Sequence, residues 1–343
     1  MVAKVVTLGE IMLRLSPPGY QRFVQASDFE VNYGGAEANV AASLAQFGDS
    51  VTFVSKIPSN AIGDCAVSTL RKLGVDCRHI ARGGKRLGIY FLENGASVRP
   101  SNVVYDRMDS SITEADLEDF DFDSIFEGAD LFHVSGITPV LSENVAVITK
   151  MALEKAKEHG VMVSFDLNYR AKLWTEGVKE KQKMLSEMMS YVDICFGNAR
   201  DAAKCLGYTE EDTDFINDDY SICVDEKHMH SVMKFYGFSY LITTLRKSVS
   251  ASDNGWSGAI CSDHGFYHGN NYDLHIVDRV GGGDSFAAGC LHGILNDMGP
   301  EKSLEFGLAA AAIKHTISGD LNFISEAEVL NLMNSDGTGR VQR

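Results

Sequence analysis

Short β-branched bursts alternate along the chain with longer stretches whose apolar residues recur every three or four positions. KVVTLGE (4–10), DSVTFVSKI (49–57), ADLFHVSGI (129–137), GVMVSFDLN (160–168), VDICFGN (192–198) and YLITTL (240–245) are apolar runs of strand length, bounded by Gly, Asp or Asn. Continuous runs of this kind suit strands buried on both faces. Between them AEANVAASLAQFG (36–48), CAVSTLRKLG (65–74), ENVAVITKMALEKAKEHG (143–160) and DSFAAGCLHGILNDMG (284–299) show helical periodicity, and each ends at glycine. Strand, helix, strand in this order predicts an α/β fold, with a mostly parallel central sheet covered by helices on both faces.

Two stretches interrupt the rhythm. Residues 11–33 and 86–108 alternate and carry turn signals without helical pattern, so they read as hairpins forming one small sheet, a β-lid over the site. Residues 209–231 are acidic and polar and read as a surface excursion, with His228 and His230 solvated. The expected layout is one α/β unit over 1–330, the two lid segments inserted in it, and a frayed tail at 331–343.

Composition narrows the function. At 45% hydrophobic and 23% charged, the 343 residues suffice for a large core. The 31 basic against 47 acidic side chains give a net charge of −16 and form no basic cluster, which argues against nucleic acid as a partner. No apolar run reaches the roughly 20 residues of a membrane span. Seven cysteines without a C-x-x-C pair, and an N-terminus without signal-peptide features, predict reduced thiols in the cytoplasm.

The chemistry concentrates in GGGDSFAAG (281–289). Glycines before a helix allow a ligand to approach the backbone, and the free N–H groups of the first turn attract an anion. Asp284 would sit against that anion. On these residues alone, a tight turn with Asp284 as a helix cap explains the stretch equally well. Competing motifs are missing: there is no G-x-x-x-x-G-K-[ST], no G-x-G-x-x-G and no H-E-x-x-H.

In its motifs the chain resembles the PfkB, or ribokinase-like, family of sugar kinases. NYGGAEANVAASLAQFG (32–48) looks like the family's N-terminal signature, and DRVGGGDSFAAGCLHGI (278–294) like its C-terminal D-x-x-G-A-G-D signature. The resemblance implies a three-layer ribokinase-like fold, with Gly281, Gly282, Gly283 and Asp284 as the anion hole for a transferring phosphoryl group and Asp284 as base. Gly282 stands where alanine is usual, a change between small residues that is expected to matter little. Gly34, Gly35 and Asn39 would contact substrate hydroxyls. FGNARD (196–201) looks like the family's N-x-x-E motif, which implies that Asn198 serves ATP and that Asp201, in the glutamate's place, reaches Mg²⁺ through water. TTLRKS (243–248) resembles a Thr-Leu-Gly nucleotide loop, giving Thr244 a phosphate contact, although Arg246 replaces the glycine. The family also suggests a monovalent cation, K⁺, at Asp278.

Within the family, GIYFLE (88–93), VVYDRM (103–108), HVSGITPVLS (133–142) and FDLNYRAKLW (165–174) look most like 2-keto-3-deoxygluconate kinases. That likeness implies that Tyr90, Tyr105, Arg107 and Arg170 contact a sugar acid, phosphorylated by ATP on a primary hydroxyl. A guanidinium fork suits a carboxylate, whereas a neutral sugar needs only neutral hydrogen-bonding groups. A neutral-sugar kinase for fructose or ribose, and a non-catalytic sugar-binding homologue, remain the alternatives. Apolar lid residues such as Leu13, Leu15, Ile89 and Phe91 predict a homodimer paired lid on lid, or a higher homo-oligomer.

Overall fold

The computed structural model describes residues 2–209, 224 and 226–335. In chain order the strands are β1 (Lys4–Leu8), β2 (Met12–Ser16), β3 (Glu30–Gly34), β4 (Ser50–Ile57), β5 (Ile80–Arg82), β6 (Gly88–Glu93) and β7 (Asn102–Asp106). They continue as β8 (Leu131–Ser135), β9 (Met162–Asp166), β10 (Ile194–Phe196), β11 (Tyr240–Ser248), β12 (Asp253–Ser262), β13 (Gly265–His268) and β14 (Tyr272–His275). The helices are α1 (Ala36–Phe47), α2 (Ala61–Lys72), α3 (Phe122–Ile125), α4 (Glu143–Glu158) and α5 (Val178–Met188). After them come α6 (Ala199–Leu206), α7 (Glu226–Tyr236), α8 (Gly282–Leu295), α9 (Pro300–Lys314) and α10 (Glu326–Met333).

The central sheet runs β13-β12-β11-β10-β9-β8-β1-β4-β5, with β14 also paired to β12. From β11 to β5 the pairs are parallel, and the β11–β12–β13 edge is antiparallel. Neighbouring residues on a strand face opposite layers, so Val5 packs with α1 and α8 while Val6 packs with α4. That is why the bursts are apolar at every position. The chain moves from β1 outward to β4 on one side and from β8 through β11 on the other. The crevice at the carboxyl ends of β1 and β8 is therefore the topological switch point, where open α/β sheets collect ligands.

The two interrupting stretches meet in a separate four-stranded sheet, ordered β3-β2-β6-β7. Each is an antiparallel hairpin, and β2 joins β6 in parallel, Leu13 opposite Ile89. This lid is tied to the body by one buried cluster. Arg14 of β2 is 2% exposed, and its guanidinium meets Asp278 Oδ2 at 2.6 Å, Asp320 Oδ2 at 2.9 Å and, through Nε, Ser16 Oγ at 2.8 Å. Tyr90 of β6 donates its hydroxyl to the other oxygen of Asp320. Lys314, also fully buried, donates to the carbonyls of Ile317 and Gly319 beside this group. Burial alone would lower the Arg14 pKa, but Asp320 and Asp278 more than offset it and the guanidinium stays charged.

Three expectations change. Residues 226–231 belong to α7, where His228 is 7% exposed and His230 pairs with Glu226, so His228 is a buried residue rather than a solvated one. The rest of that excursion, 210–223 and 225, lies outside the described residues, as do 336–343. The boundary at 330 falls inside α10, which runs to Met333.

Removing one member of a buried ion cluster leaves uncompensated charge, at a cost of about 3–5 kcal/mol. Arg14→Ala should lower unfolding stability by about that amount in chemical denaturation; a loss below about 1 kcal/mol would show that the cluster does not hold the lid.

Candidate active site

A cavity of about 1020 Å³ opens between the lid and the carboxyl ends of the central strands. Its floor is the start of α8. Gly281 precedes the helix with φ 81°, and a Cβ there would run into the Asp320 carbonyl. A Cβ on Gly282 would collide with the His315 ring, so in this chain His315 occupies the space that a side chain there would need. Gly283 has nothing within 4 Å on its Cβ side, so the backbone there faces open space. The first-turn N–H groups lack intrahelical acceptors, and Ser285 N–H to Gly281 O, at 2.8 Å, is the first closed turn.

Asp284 stands in this first turn. Its Oδ2 accepts from Asn39 Nδ2 at 2.6 Å, and Asn39 Oδ1 in turn accepts from Gly35 N–H at 3.3 Å. Burial pushes the Asp284 carboxyl up to about 6, with the Asn39 hydrogen bond and the Arg170 charge opposing. Glu37, 2% exposed, accepts from Ser135 N–H, Ser135 Oγ and Thr138 Oγ1 at 2.7–2.8 Å, and it too is raised by burial. Asp166 ends β9 and is pushed up to about 7, first by burial and then by Asp284. Asp201 is raised by burial. A cavity that crowds carboxylates this closely favours a cation.

At the lid end Tyr90 and Tyr105 are cross-strand partners with ring centroids 6.0 Å apart. Arg107 lies just past β7 with its guanidinium 5.6 Å from the Tyr105 ring centre. It pairs with Glu10, whose other oxygen accepts from Ser110 Oγ at 2.7 Å, and its Nε is buried without a partner. Asp106 points away and pairs with Arg86 at 2.6 Å. Arg170 is exposed on the opposite wall, and its charge lowers the pKa of both Asp166 and Asp284.

The cavity wall thus gathers Gly35, Asn39, Tyr90, Tyr105, Arg107 and Arg170 with Asp201, Thr244, Asp278, Gly281, Gly283 and Asp284. Gly34 is not on it; a side chain there would meet Asp320, so close packing explains that glycine. Asn198 is also off the wall: it caps α6 and donates to Thr243 Oγ1 at 3.2 Å. Asp201 returns the cap, its Oδ2 accepting from Asn198 N–H at 3.3 Å. Thr244 belongs to the middle of β11 rather than to a loop. Asp278 departs from the K⁺ expectation, because its oxygens are taken by Arg14, Val280 N–H and Gly319 N–H, the last two at 3.0 Å.

Glu10, Glu37 and Asp166 were missed in the sequence. Glu10 and Asp166 have a signal in hindsight, since each is an acid at the carboxyl end of a buried strand. For Mg²⁺ the donors fit: Asp166 and Asp201 are hard oxygen ligands in a carboxylate-rich wall. Among the described residues no three side chains form a complete metal cage.

A carboxylate raised by burial, a helix start with free N–H groups and two further raised acids share one cavity with room for more than a single sugar, an arrangement chemically suited to phosphoryl transfer. The chain belongs to the pfkB family of carbohydrate kinases, whose profile matches residues 2–228 and 246–327. A 2-dehydro-3-deoxygluconokinase structure from Thermotoga maritima superposes with TM-score 0.91 at 48% identity, covering 98% of this chain and 99% of that one. A 2-dehydro-3-deoxygalactonokinase of Haloferax volcanii is 32% identical over 99% of both chains. A structure from E. coli with the provisional name Ribokinase II, a complex with ATP and Mg²⁺, shares the fold at TM-score 0.79 and 19% identity, covering 97% of this chain and 99% of that one. The fold is ribokinase-like, and the protein is a carbohydrate kinase.

If Asp284 is the base, kcat/KM should fall about tenfold per pH unit below its pKa of about 6 and level off above it, since only the carboxylate accepts a proton. Asp284→Asn should lower kcat at least about 10²-fold with little change in KM. Near-normal turnover by that variant would reduce Asp284 to a helix cap.

Proposed function

We propose that the protein transfers the γ-phosphate of ATP to the 6-hydroxyl of 2-keto-3-deoxygluconate, giving 2-keto-3-deoxy-6-phosphogluconate. The observation that carries this reading is the pair of arginines, Arg107 and Arg170, on the walls of a cavity whose floor is Asp284. A sugar acid brings the carboxylate they would bind. The Thermotoga and Haloferax relatives are both named for 2-dehydro-3-deoxy sugar acids, which supports the substrate class.

In the step itself Asp284 takes the hydroxyl proton while the sugar oxygen bonds to the γ-phosphorus and the bond to the β-phosphate oxygen breaks, releasing ADP. Asn39 holds Asp284 toward the cavity. Backbone N–H groups of Gly281 to Asp284 stabilise the charge on the transferring group. Bound near Asp166 and Asp201, Mg²⁺ would neutralise phosphate charge. Tyr90 and Tyr105, a tilted ring pair, flank the lid side of the cavity where the sugar would lie.

One observation favours a neutral-sugar kinase instead: Glu10 already pairs with Arg107 and offsets the positive charge offered there. The Nε of Arg107, without a partner among the described residues, and the exposed Arg170 on the cavity wall speak for the acid. We also propose that a second copy covers the outer lid face, where Leu13, Leu15, Ile89 and Phe91 are half-buried and Val31 and Val104 are 58% and 46% exposed. Sedimentation should give a dimer at micromolar concentration, and a fully active monomer would refute it.

Arg107→Ala should raise KM for 2-keto-3-deoxygluconate about 10- to 100-fold, the scale of a charge-assisted contact, with KM for ATP nearly constant. Equal damage to both substrates would remove Arg107 from the sugar side.

A further inference from the structure

We propose that Arg246, Arg279 and the indole N–H of Trp256 form the subsite that grips the β- and γ-phosphates of the nucleotide. The proposal rests on the reading of ATP as phosphoryl donor. All three residues line the cavity. Arg246 is exposed to the cavity mouth and Arg279 is half-buried, and neither has a carboxylate partner among the described residues. Their side-chain hydrogen bonds go instead to neutral groups of one turn. Arg246 Nε donates to Asn254 Oδ1 at 3.2 Å. Asn254, 4% exposed, donates at 3.4 Å to the Ser250 carbonyl, which also accepts from Arg279 Nη2 at 2.8 Å. Arg279 adds bonds of 2.7 and 3.2 Å to the Ala251 carbonyl. Two guanidinium groups are thus joined through one amide and one carbonyl, with no anion between them.

Trp256 points to the same ligand independently. It stands directly opposite Arg246 in the β11–β12 ladder, is 5% exposed, and its Nε1–H has no hydrogen-bond partner among the described residues. An orphaned buried donor beside two uncompensated cations is a site built for acceptor oxygens.

Position selects phosphate over the sugar's carboxylate. Glu10, which holds Arg107, follows β1, and Arg246 lies on β11, four strands along the sheet. At ~4.8 Å per strand the two ends stand about 19 Å apart. Asp284 and the anion-binding helix start lie between, and Arg279 is two residues before Gly281. A phosphoryl group seated at Gly281–Asp284 must leave its remaining phosphates on the side of Arg246. In this chain Arg246 then supplies a side-chain charge at the position where the family pattern has a glycine. The lid closes on the same turn, Ala251 N–H donating to Ser97 O at 2.7 Å and Ser97 N–H to Ser252 Oγ at 3.0 Å.

Calorimetric titration of ATP, ADP and adenosine, each with Mg²⁺, into wild type, Arg246→Gln and Arg279→Gln tests this. Each substitution should weaken ATP and ADP about 10-fold and leave adenosine within about 2-fold. Added salt should weaken ATP more steeply on wild type than on the variants, and Arg246→Lys should recover part of the loss. The proposal is overturned if adenosine weakens in step with ATP, if ATP is unaffected, or if KM for the sugar substrate rises in its place. Should wild type bind nucleotide in this pattern but phosphorylate no sugar acid, the substrate reading fails and the phosphate subsite stands.

Discussion

Arg14 between Asp278 and Asp320 is the contact on which the architecture turns. It is a lid residue that neutralises two acids of the body, one just before α8 and one after α9. In a buried setting each of the three would be an uncompensated charge without the others. Tyr90 extends the same cluster to the second lid hairpin through Asp320. Both halves of the lid are therefore anchored to the loops that shape the floor of the cavity. Because Gly281 packs against the Asp320 carbonyl, the anion-binding turn depends on the same group.

The cavity inherits an unusual charge arrangement from this anchor. With Asp278 and Asp320 spent on Arg14, the acids left facing the ligand are Glu10, Glu37, Asp166, Asp201 and Asp284. Burial raises four of these, with repulsion from neighbouring carboxylates adding to the rise at Asp166 and Asp284, and Glu10 is the one already matched by Arg107. The balancing cations are distributed rather than paired: Arg170 acts on Asp166 and Asp284, while Arg246 and Arg279 hold only neutral acceptors. On the proposed function, a nucleotide with its metal and an acidic sugar would supply the missing charges of both signs.

Local features of the fold were legible in the sequence. Strand bursts, glycine-ended helices and the two hairpins follow from periodicity and turn chemistry, and GGGD marked the floor of the site because its meaning lies within four residues. Long-range partnerships were not. Arg14 meets acids 264 and 306 residues away, and no local pattern records that. Gly34 and Gly282 looked like ligand or neutral positions, but close packing against Asp320 and His315 decides them. Arg246 stood out only as a departure from a glycine loop; its strand, its bridge through Asn254 and the facing Trp256 give it a setting. His228 looked solvated because its flanks are polar, while the helix turns it inward.

The central claim is that this kinase reads a carboxylate on its sugar. The most direct measurement is a comparison of kcat/KM, at saturating ATP and Mg²⁺, for 2-keto-3-deoxygluconate, its C4 epimer 2-keto-3-deoxygalactonate, fructose and ribose. A charge-assisted contact absent from the neutral sugars predicts an advantage of at least about 10-fold for the acids. Equal or higher kcat/KM for fructose or ribose would contradict the account and leave Arg107 as the structural partner of Glu10.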